Sequence, residues 1–317
     1  MDPLTHVVIG RALVAAARDE PRDPTVGAAA ILGALSPDVD SVIAFSGWDR
    51  YVRAHQFGTH SLIGALAMAA VTAIVVGRLA RAFARRGRLT TLFVAAAAGA
   101  LSHIALDVVS GARIAILWPF VNQRVSLPLV AMADPWLIGI CVTWLVLLWP
   151  VRMPLRRASH AVLAAAVAFL GFKAAMLGMA LRQLDVTPRE PSAIDARWGS
   201  LTDWFVFERR RDRVSASAIA SRGGPPTVVM TRRLADDTPF VRASRSLDDV
   251  QNFLAVHEFA FPAEADDGDG RVAVMWSDLR YCSPSGCGVW VGGTFDVSGP
   301  PIAQEVRIGA IVQRRPP

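Results

Sequence analysis

The sequence predicts a mainly α-helical polytopic membrane bundle, residues 1–181, followed by a small strand-rich domain, residues 182–317. The mean hydropathy is +0.37, and 53% of the residues are hydrophobic. Most of the long apolar blocks lie before residue 181, which is typical of membrane helices. After that point short apolar runs alternate with Gly, Pro and Asp, which is typical of strands joined by turns.

The membrane part is predicted to contain two short helices and then four spans. The short apolar runs, in residues 1–20 and 25–36, are too short to cross a hydrocarbon core of about 30 Å. We expect them to form a hairpin that re-enters or caps the bundle, although a spanning hairpin stays open. Thr59 is expected to cap the first span. The four spans are expected at residues 59–77, 91–109, 130–150 and 159–181.

The distribution of charge predicts an orientation. Basic loops lie at residues 78–88 and 152–157, and they fall on one side, the cytoplasmic side, if each span crosses once. The strand-rich domain is then expected outside. Nine of the 27 acidic residues and 16 of the 33 basic residues precede residue 182, so the net charge of +6 divides into about +7 and −1. The excess belongs to the basic loops and does not indicate a nucleic-acid partner.

A candidate metal site is centred on His103 and Asp107, which lie four residues apart in an apolar helix. Burying an imidazole and a carboxylate is costly unless they are paired or metal-bound. A divalent cation would satisfy both, and a simple hydrogen-bonded pair explains the same spacing. The expected orientation brings five more polar residues to this level of the membrane: His6, Asp38, Asp40, His55 and His60.

Simpler explanations stay open for these residues. His60 could cap a helix, and the SPDVD segment that contains Asp40 could be a turn. His6 and His55 each lie near solvent or a helix end, where histidine is common. If a metal binds, nitrogen and carboxylate ligands suit zinc, with manganese or iron as alternatives. Asp38 is then expected to orient a ligand or to act as the general base.

Four residues outside the ligand set are also candidates. Lys173 could bind a substrate phosphate, or could snorkel or pair with a carboxylate. Arg124 could belong to an anion-attracting rim or be an ordinary surface arginine. Cys282 and Cys287 could form a disulfide across a short turn in an oxidising compartment. The sequence contains no HExxH, GxSxG or Walker motif, which argues against the enzyme classes that use them.

Five motifs carry a resemblance to a known family. THVVIG, ALSPDVD, HQFGTHS, HIALDVVSG and LWPF occur in this order over about residues 1–180. This pattern resembles the membrane-bound metal-dependent hydrolase family, inner-membrane hydrolases that include LexA-regulated members. That family is distantly similar to the zinc-dependent phospholipase C and single-strand nuclease superfamily, in which a helical bundle holds up to three zinc ions. DWFVFERRRDRVSA and WSDLRY are similar to the extra domain of longer members.

The resemblance implies a ligand set. Asp40 would be the carboxylate between metals, His60, His103 and Asp107 would be further ligands, and His6 an early one. The superfamily also uses a further His and an HxxxE motif. The remaining histidines, His160 and His257, have no Glu four residues later, so we expect one or two metal ions.

The implied activity is metal-dependent hydrolysis of a phosphoester at the surface of the bacterial inner membrane. Phospholipids or lipid-linked phosphates are the expected substrates, because the ligands lie near the membrane interface. The alternative is a non-catalytic membrane scaffold or sensor with a structural metal. A transporter is a third possibility, because intramembrane ionisable groups also mark ion paths.

Overall fold

A computed structural model describes the chain in twelve stretches: residues 1–17, 24–47, 50–51, 55, 57–80, 88–182, 184, 192–234, 238–268, 270–296, 301–309 and 311–315. The chain divides into two compact units. The first comprises residues 1–41, 55–181 and 195–203. The second comprises residues 42–54, 182–194 and 204–317. Three arginines of the first predicted basic loop, Arg81, Arg85 and Arg86, lie outside the described residues.

The described part of the first unit contains six α-helices. They are α1 (Pro3–Ala17), α2 (Pro24–Leu35), α3 (Leu62–Leu79), α4 (Arg88–Val109), α5 (Pro135–Leu148) and α6 (Leu155–Leu181). A 3-10 helix, Ser36–Ser46, follows α2 directly, and a single 3-10 turn, Gly58–His60, precedes α3. These two 3-10 segments contain Asp38, Asp40 and His60, three of the residues of the predicted site.

Four helical segments among the described residues are long and apolar enough to cross a membrane. They are Pro24–Phe45, Leu62–Leu79, Arg88–Val109 and Leu155–Leu181. Two differences from the expected set have local causes. The apolar segment that begins at Pro24 is longer than the short helix expected at 25–36, because the chain stays helical past Pro37. Proline is tolerated in the first turn of the 3-10 helix. The apolar run at 130–150 yields a helix of only 14 residues, because Asp134 caps it and Pro135 occupies its first position.

The start of α3 corrects the expected cap. Thr59 was predicted as the N-cap, and this is wrong: Ser61 accepts a hydrogen bond from the Gly64 amide at 3.0 Å, and the helix begins at Leu62. The hydroxyl of Thr59 instead donates to Asp40 at 3.1 Å. His60 directly precedes this cap, and its side chain faces the bundle interior, where it is fully buried.

Small residues allow α1, α2 and α4 to pack closely. A Cβ atom on Gly99 of α4 would lie 2.2 Å from the carbonyl oxygen of Ala30, and one on Gly33 of α2 would lie 2.2 Å from that of Ala96. Gly10 of α1 approaches the same crossing, because a Cβ atom there would lie 3.4 Å from Gly99 Cα. Interfaces of small residues are typical of membrane helices. This packing sets the position of α4, the helix that contains His103 and Asp107.

The strand-rich domain that the sequence predicts after the helices is confirmed. Its strands are β1 (Ser192–Ala196), β2 (Asp203–Arg209), β3 (Arg213–Ala220), β4 (Thr227–Arg233), β5 (Ala260–Gly268), β6 (Arg271–Asp278), β7 (Cys282–Ser283), β8 (Gly286–Cys287), β9 (Val289–Asp296), β10 (Pro301–Ile308) and β11 (Ile311–Arg315). Two short helices, α7 (Pro239–Ser244) and α8 (Asp248–Leu254), separate β4 from β5.

The strands form two sheets and a short hairpin. One sheet has the order β1-β2-β3-β4 and the other β11-β10-β9-β6-β5. The five-stranded sheet is antiparallel throughout, and its core includes Phe253, Trp276 and Phe295. In the β7-β8 hairpin, Cys282 and Cys287 are directly paired and form a disulfide. Cys141 of α5 is a free, buried thiol.

Candidate metal centre

The first unit brings all of the predicted metal-site residues into one cluster. Four parts of the helical bundle contribute these seven residues: α1, the 3-10 helix after α2, the segment before α3, and α4. They are His6, Asp38, Asp40, His55, His60, His103 and Asp107. The chain positions of these residues, 6 to 107, show that the cluster depends on the packing of the whole bundle rather than on one motif.

Four ligand atoms converge at the centre of the cluster. The Nε2 atoms of His60 and His103 lie 3.3 Å apart. Asp38 Oδ1 lies 3.4 Å from the first and 3.5 Å from the second. Asp107 Oδ2 lies 3.1 Å from His103 Nε2 and 3.6 Å from His60 Nε2. Each of the two carboxylate oxygens therefore lies near both imidazole nitrogens.

These separations suit a tetrahedral cation. Zinc bound at about 2.0–2.1 Å in a tetrahedron has ligand–ligand edges of about 3.3–3.4 Å. An octahedral ion at a similar bond length has edges of about 2.9–3.0 Å. The five distances measured among the four atoms run from 3.1 to 3.6 Å. The donor atoms could therefore hold one metal ion, with dimensions closer to those of a tetrahedral site.

The surroundings of His103 determine which nitrogen can act as a ligand. Its Nδ1 lies 2.7 Å from the carbonyl oxygen of Ala34. A carbonyl oxygen can only accept, so Nδ1 carries the proton and Nε2 of the neutral ring presents a lone pair. Hydrogen bonds of this kind orient histidine ligands in metal sites. The close crossing of α2 and α4 is what places the Ala34 carbonyl here.

The carboxylate of Asp40 orients the His60 ring in the same way. Its Nδ1 lies 3.4 Å from Asp40 Oδ2 and 3.2 Å from the Thr59 hydroxyl oxygen. Because Thr59 donates its proton to Asp40, both oxygens are acceptors for the His60 ring. His55 also places Nδ1 at 3.0 Å from Asp40 Oδ1. Asp40 therefore lies behind His60, between two imidazoles, rather than between His60 and His103.

His6 contacts the cluster from α1. Its ring stacks on that of His103, with centroids 3.8 Å apart, and its Nε2 lies 3.3 Å from Asp107 Oδ1. Among the described residues neither ring nitrogen of His6 makes a hydrogen bond of good geometry, although the side chain is fully buried. An unsatisfied buried polar group costs about 1–3 kcal/mol. The amino nitrogen of Met1 also contacts Asp107. A buried imidazole that stacks on His103 and contacts the Asp107 carboxylate fits a metal-binding environment.

Exposure differs across the cluster. His6, His60 and His103 are 0% exposed and Asp107 is 3% exposed. The side chain of Asp38 is 34% exposed and that of His55 is 19% exposed. The cluster therefore has a closed side, formed by α4, and an accessible side, formed by Asp38 and His55. Among the described residues of the cluster, Asp38 and His55 are therefore the ones that a water molecule or a substrate would meet first.

Burial and the carboxylates act in opposite directions on His60. Burial lowers the pKa of the imidazole, while hydrogen bonds with Asp38 and Asp40 raise it, and the net pKa lies above its ordinary value. In the part of the chain that the structure describes, three overlapping groups have ligand atoms within 4.8 Å of one another, and Asp38, His55 and His60 form one of them. The other two are His6, Asp38 and His103, and His60, His103 and Asp107.

The two predicted substrate-binding residues have partners elsewhere in the first unit. Lys173 of α6 is fully buried, and its ammonium donates to the carbonyl oxygens of Ser200 at 2.9 Å and Leu201 at 3.4 Å. The guanidinium of Arg124 lies 4.4 Å from the centre of the Phe57 ring. A role for Lys173 or Arg124 in binding substrate stays a prediction.

Sequence reasoning missed two groups that orient the histidines. The Thr59 hydroxyl could have been recognised from its place beside His60 in HQFGTHS. The Ala34 carbonyl leaves no sequence signal, because any residue has a carbonyl and only the helix crossing selects this one.

Comparison with protein families shows which family the chain belongs to. The family described as YdjM inner membrane protein matches residues 1–180. The chain belongs to the YdjM inner membrane protein family. The match covers every residue of the metal cluster, and the description agrees with the apolar helices. Comparison with curated proteins and with solved structures finds no match. The family description names a membrane and no reaction, so the activity has to be argued from the site.

Proposed function

We propose that the chain is a zinc-dependent hydrolase of the inner membrane that cleaves a phosphoester in an amphiphilic substrate. The observation that supports it most is the division of the cluster into three buried ligands and one accessible carboxylate. His60, His103 and Asp107 form a group whose ligand atoms all lie within reach of one ion, and all three are buried. Three protein ligands and one further position are the pattern of catalytic zinc sites.

In this proposal Asp38 is the general base. A bound zinc ion acts as a Lewis acid and lowers the pKa of a coordinated water molecule toward 7. Asp38 Oδ1 faces the Nε2 atoms of both His60 and His103 at 3.4 and 3.5 Å. It also lies on the accessible side, so it is placed to accept a proton from a water molecule that enters there. Asp40 takes a different role from the one the resemblance implies: it orients His60 and His55.

An amphiphilic substrate is supported by the apolar surroundings. The metal cluster lies at the end of α4, a helix long enough to span the membrane. A groove of about 570 Å³ between α1 and α4 starts at Thr90, near the beginning of α4, and reaches Ser102, the residue before His103; it is lined by none of the cluster residues. Its lining is mainly apolar and includes Leu13, Val94 and Leu101. Such a groove suits an acyl chain better than a soluble, charged metabolite.

The first experiment is a hydrolysis assay on the zinc-loaded chain in detergent. Substrates would be phospholipids, lipid-linked phosphates and a water-soluble nitrophenyl phosphodiester. We expect turnover of a lipid substrate by the wild type and none by His103→Ala. His160→Ala is the matched control, because His160 is an exposed histidine of α6 outside the cluster. Equal activity in the two variants would contradict the proposal.

A structural metal site in a scaffold or sensor is the second candidate. Asp38 Oδ1 lies about as close to the two Nε2 atoms as they lie to each other, so it could serve as a fourth protein ligand, and four protein ligands are typical of structural zinc. Asp38→Ala separates the two functions. A catalytic site keeps its zinc in this variant and loses turnover, whereas a structural site loses zinc.

We propose the orientation that the charges predict, with the metal cluster and the strand-rich domain outside. Both basic loops lie inside only if α5 crosses the membrane as well. At 14 residues, α5 is about 21 Å long, so crossing requires the bilayer to thin locally. The Cys282–Cys287 disulfide supports an oxidising compartment for the strand-rich domain.

Labelling of intact cells with a membrane-impermeant thiol reagent tests this orientation. Val228 of β4 and Arg157 of α6 are both exposed. We expect Val228→Cys to react in intact cells and Arg157→Cys to react only after permeabilisation. The reverse pattern would place the strand-rich domain in the cytoplasm and contradict the proposed orientation.

A further inference from the structure

The segment that joins α4 to α5 contains the LWPF motif in a ribbon without regular secondary structure. Isolated bridges pair Ser110 with Pro128 and Ile114 with Val125. The Ile114 amide donates to the Val125 carbonyl at 3.0 Å, and the Val125 amide returns a bond of 2.8 Å. These contacts close the ribbon at its base, so residues 117–121 form its tip.

The tip presents consecutive apolar side chains that the rest of the protein does not cover. Phe120 is 80% exposed and Leu117 is 55% exposed. Trp118 and Val121, beside them, are also exposed. A run of exposed large apolar residues is uncommon on a water-facing surface and marks an interaction site. Gln123, two residues farther on, is exposed and polar.

The ribbon is tied directly to the metal cluster. The Leu62 amide, two residues after His60, donates to the Ile116 carbonyl at 3.0 Å. At the other end of the ribbon, the Ser110 amide donates to the Asp107 carbonyl at 3.1 Å. Backbone bonds at or beside two candidate ligands, His60 and Asp107, therefore hold the ribbon in place. The depth of its tip in the bilayer then indicates the depth of the candidate metal site.

We propose that residues 117–121 are an interfacial anchor that inserts into the headgroup and acyl-chain boundary of the bilayer that α4 crosses. The ribbon begins where α4 ends, so its apolar tip continues the apolar surface of a candidate span. Trp and Phe are enriched at this boundary. Arg113 and Arg124 flank the tip, and basic side chains near the surface are attracted to anionic lipid phosphates.

The anchor has a consequence for the substrate, and this consequence rests on the proposed function. A ribbon fixed between His60 and Asp107 and inserted at the boundary would hold the metal site at the level of the headgroups. The scissile phosphoester would then be that of a lipid in the same bilayer rather than that of a soluble molecule. The anchor itself requires neither a bound metal nor a reaction.

Depth measurement with a nitroxide label tests the anchor in the full-length chain. Phe120→Cys and, as the control, Gln123→Cys would be labelled and placed in vesicles of phosphatidylethanolamine and phosphatidylglycerol. The native cysteines do not compete for the label, because Cys141 is buried and Cys282 is bonded to Cys287. Leu117→Cys provides a second reporter if the Phe120 variant does not fold.

We expect the labels at 120 and 117 to collide more often with oxygen, which partitions into the bilayer, than with a water-soluble nickel complex. The label at 123 is expected to show the lower ratio of oxygen to nickel collisions. Equal ratios at 120 and 123 would overturn the anchor, as would a label at 120 that neither reagent reaches. Because the readout needs no turnover, a failed hydrolase assay leaves this result intact.

Discussion

The Nε2 atoms of His60 and His103 lie 3.3 Å apart between two fully buried rings. The Nδ1 atom of each ring faces acceptors, the Ala34 carbonyl for His103 and Asp40 for His60. If both rings are neutral, their Nε2 atoms present lone pairs to each other, an arrangement that is repulsive unless a proton or a metal cation lies between them. A metal ion satisfies both lone pairs and the carboxylate of Asp107 together.

The orienting carboxylate and the ligand carboxylate are expected to behave differently. Asp107→Ala removes an oxygen from the centre of the cluster and should abolish zinc binding. Asp40→Ala removes a group behind His60 and should weaken zinc affinity about 10–100-fold while leaving the stoichiometry unchanged at saturation. Competition with a chromogenic chelator measures both affinities. Equal loss in the two variants would contradict the difference in role between Asp40 and Asp107.

The crossing of α2 and α4 should tolerate no side chain at Gly99. In Gly99→Ala the new Cβ atom would lie 2.2 Å from the Ala30 carbonyl oxygen, and overpacking of this kind costs about 1–3 kcal/mol. We expect a lower Tm in detergent and weaker zinc binding, because Ala34 must shift away from His103. Gly171→Ala of α6 is the matched control, since its Cβ atom would meet nothing within 4 Å. Unchanged thermal unfolding of the Gly99 variant would contradict the packing.

How far the sequence determines the site can be seen from the two aspartates of SPDVD. The motif places Asp38 and Asp40 near the histidines, and both are found there. Which of them faces the Nε2 atoms depends on the turn of the 3-10 helix after Leu35 and on the approach of α2 to α4. Neither is encoded in the spacing of the motif. The position between metals that the resemblance implies for Asp40 stays a prediction; its carboxylate lies beside Nδ1 of His60 and Nδ1 of His55.

The helix at 135–148 shows a similar limit. Hydropathy marks residues 130–150 as one apolar run, but it does not show that Asp134 caps a later start at Pro135. The apolar residues of LWPF are equally ambiguous from composition alone. They belong to a ribbon that a backbone bond from Leu62 to Ile116 holds against the start of α3, and this long-range contact cannot be read from a hydrophobic pattern.

Replacement of Lys173 tests whether its buried ammonium group has a structural role. Its ammonium donates to two backbone carbonyls in residues 200–201. Lys173→Met leaves these acceptors without their charged donor, which should cost about 1–3 kcal/mol, and we expect a lower Tm with an unchanged KM for a lipid substrate. Arg157→Met, an exposed change on the same helix, should leave both unchanged. A raised KM with an unchanged Tm would instead support the predicted contact with a substrate phosphate.

Glu305 of β10 should make the strand-rich domain sensitive to acid. Burial raises the pKa of this carboxyl, but hydrogen bonds from Arg307 and Arg314 outweigh that effect, and the pKa lies below its ordinary value. A lowered folded-state pKa adds stability that is complete above the unfolded-state pKa, about 4.3 for Glu. That stability is lost as the pH falls through the folded-state pKa.

Urea unfolding of the full chain in detergent at pH 6 and pH 3.5 measures this dependence, with near-ultraviolet circular dichroism as the signal. We expect the wild type to lose more stability between the two pH values than Glu305→Gln, which cannot titrate at this position. The same loss in both proteins would remove Glu305 as a source of the acid sensitivity.

Metal content is the most direct test of the central claim. Elemental analysis would compare the wild type, His103→Ala and His160→Ala, each purified in detergent without chelator. We expect one equivalent of zinc per chain in the wild type and in His160→Ala, and none in His103→Ala. A wild type that contains no metal, or a His103→Ala variant that keeps a full equivalent, would contradict the metal centre described here.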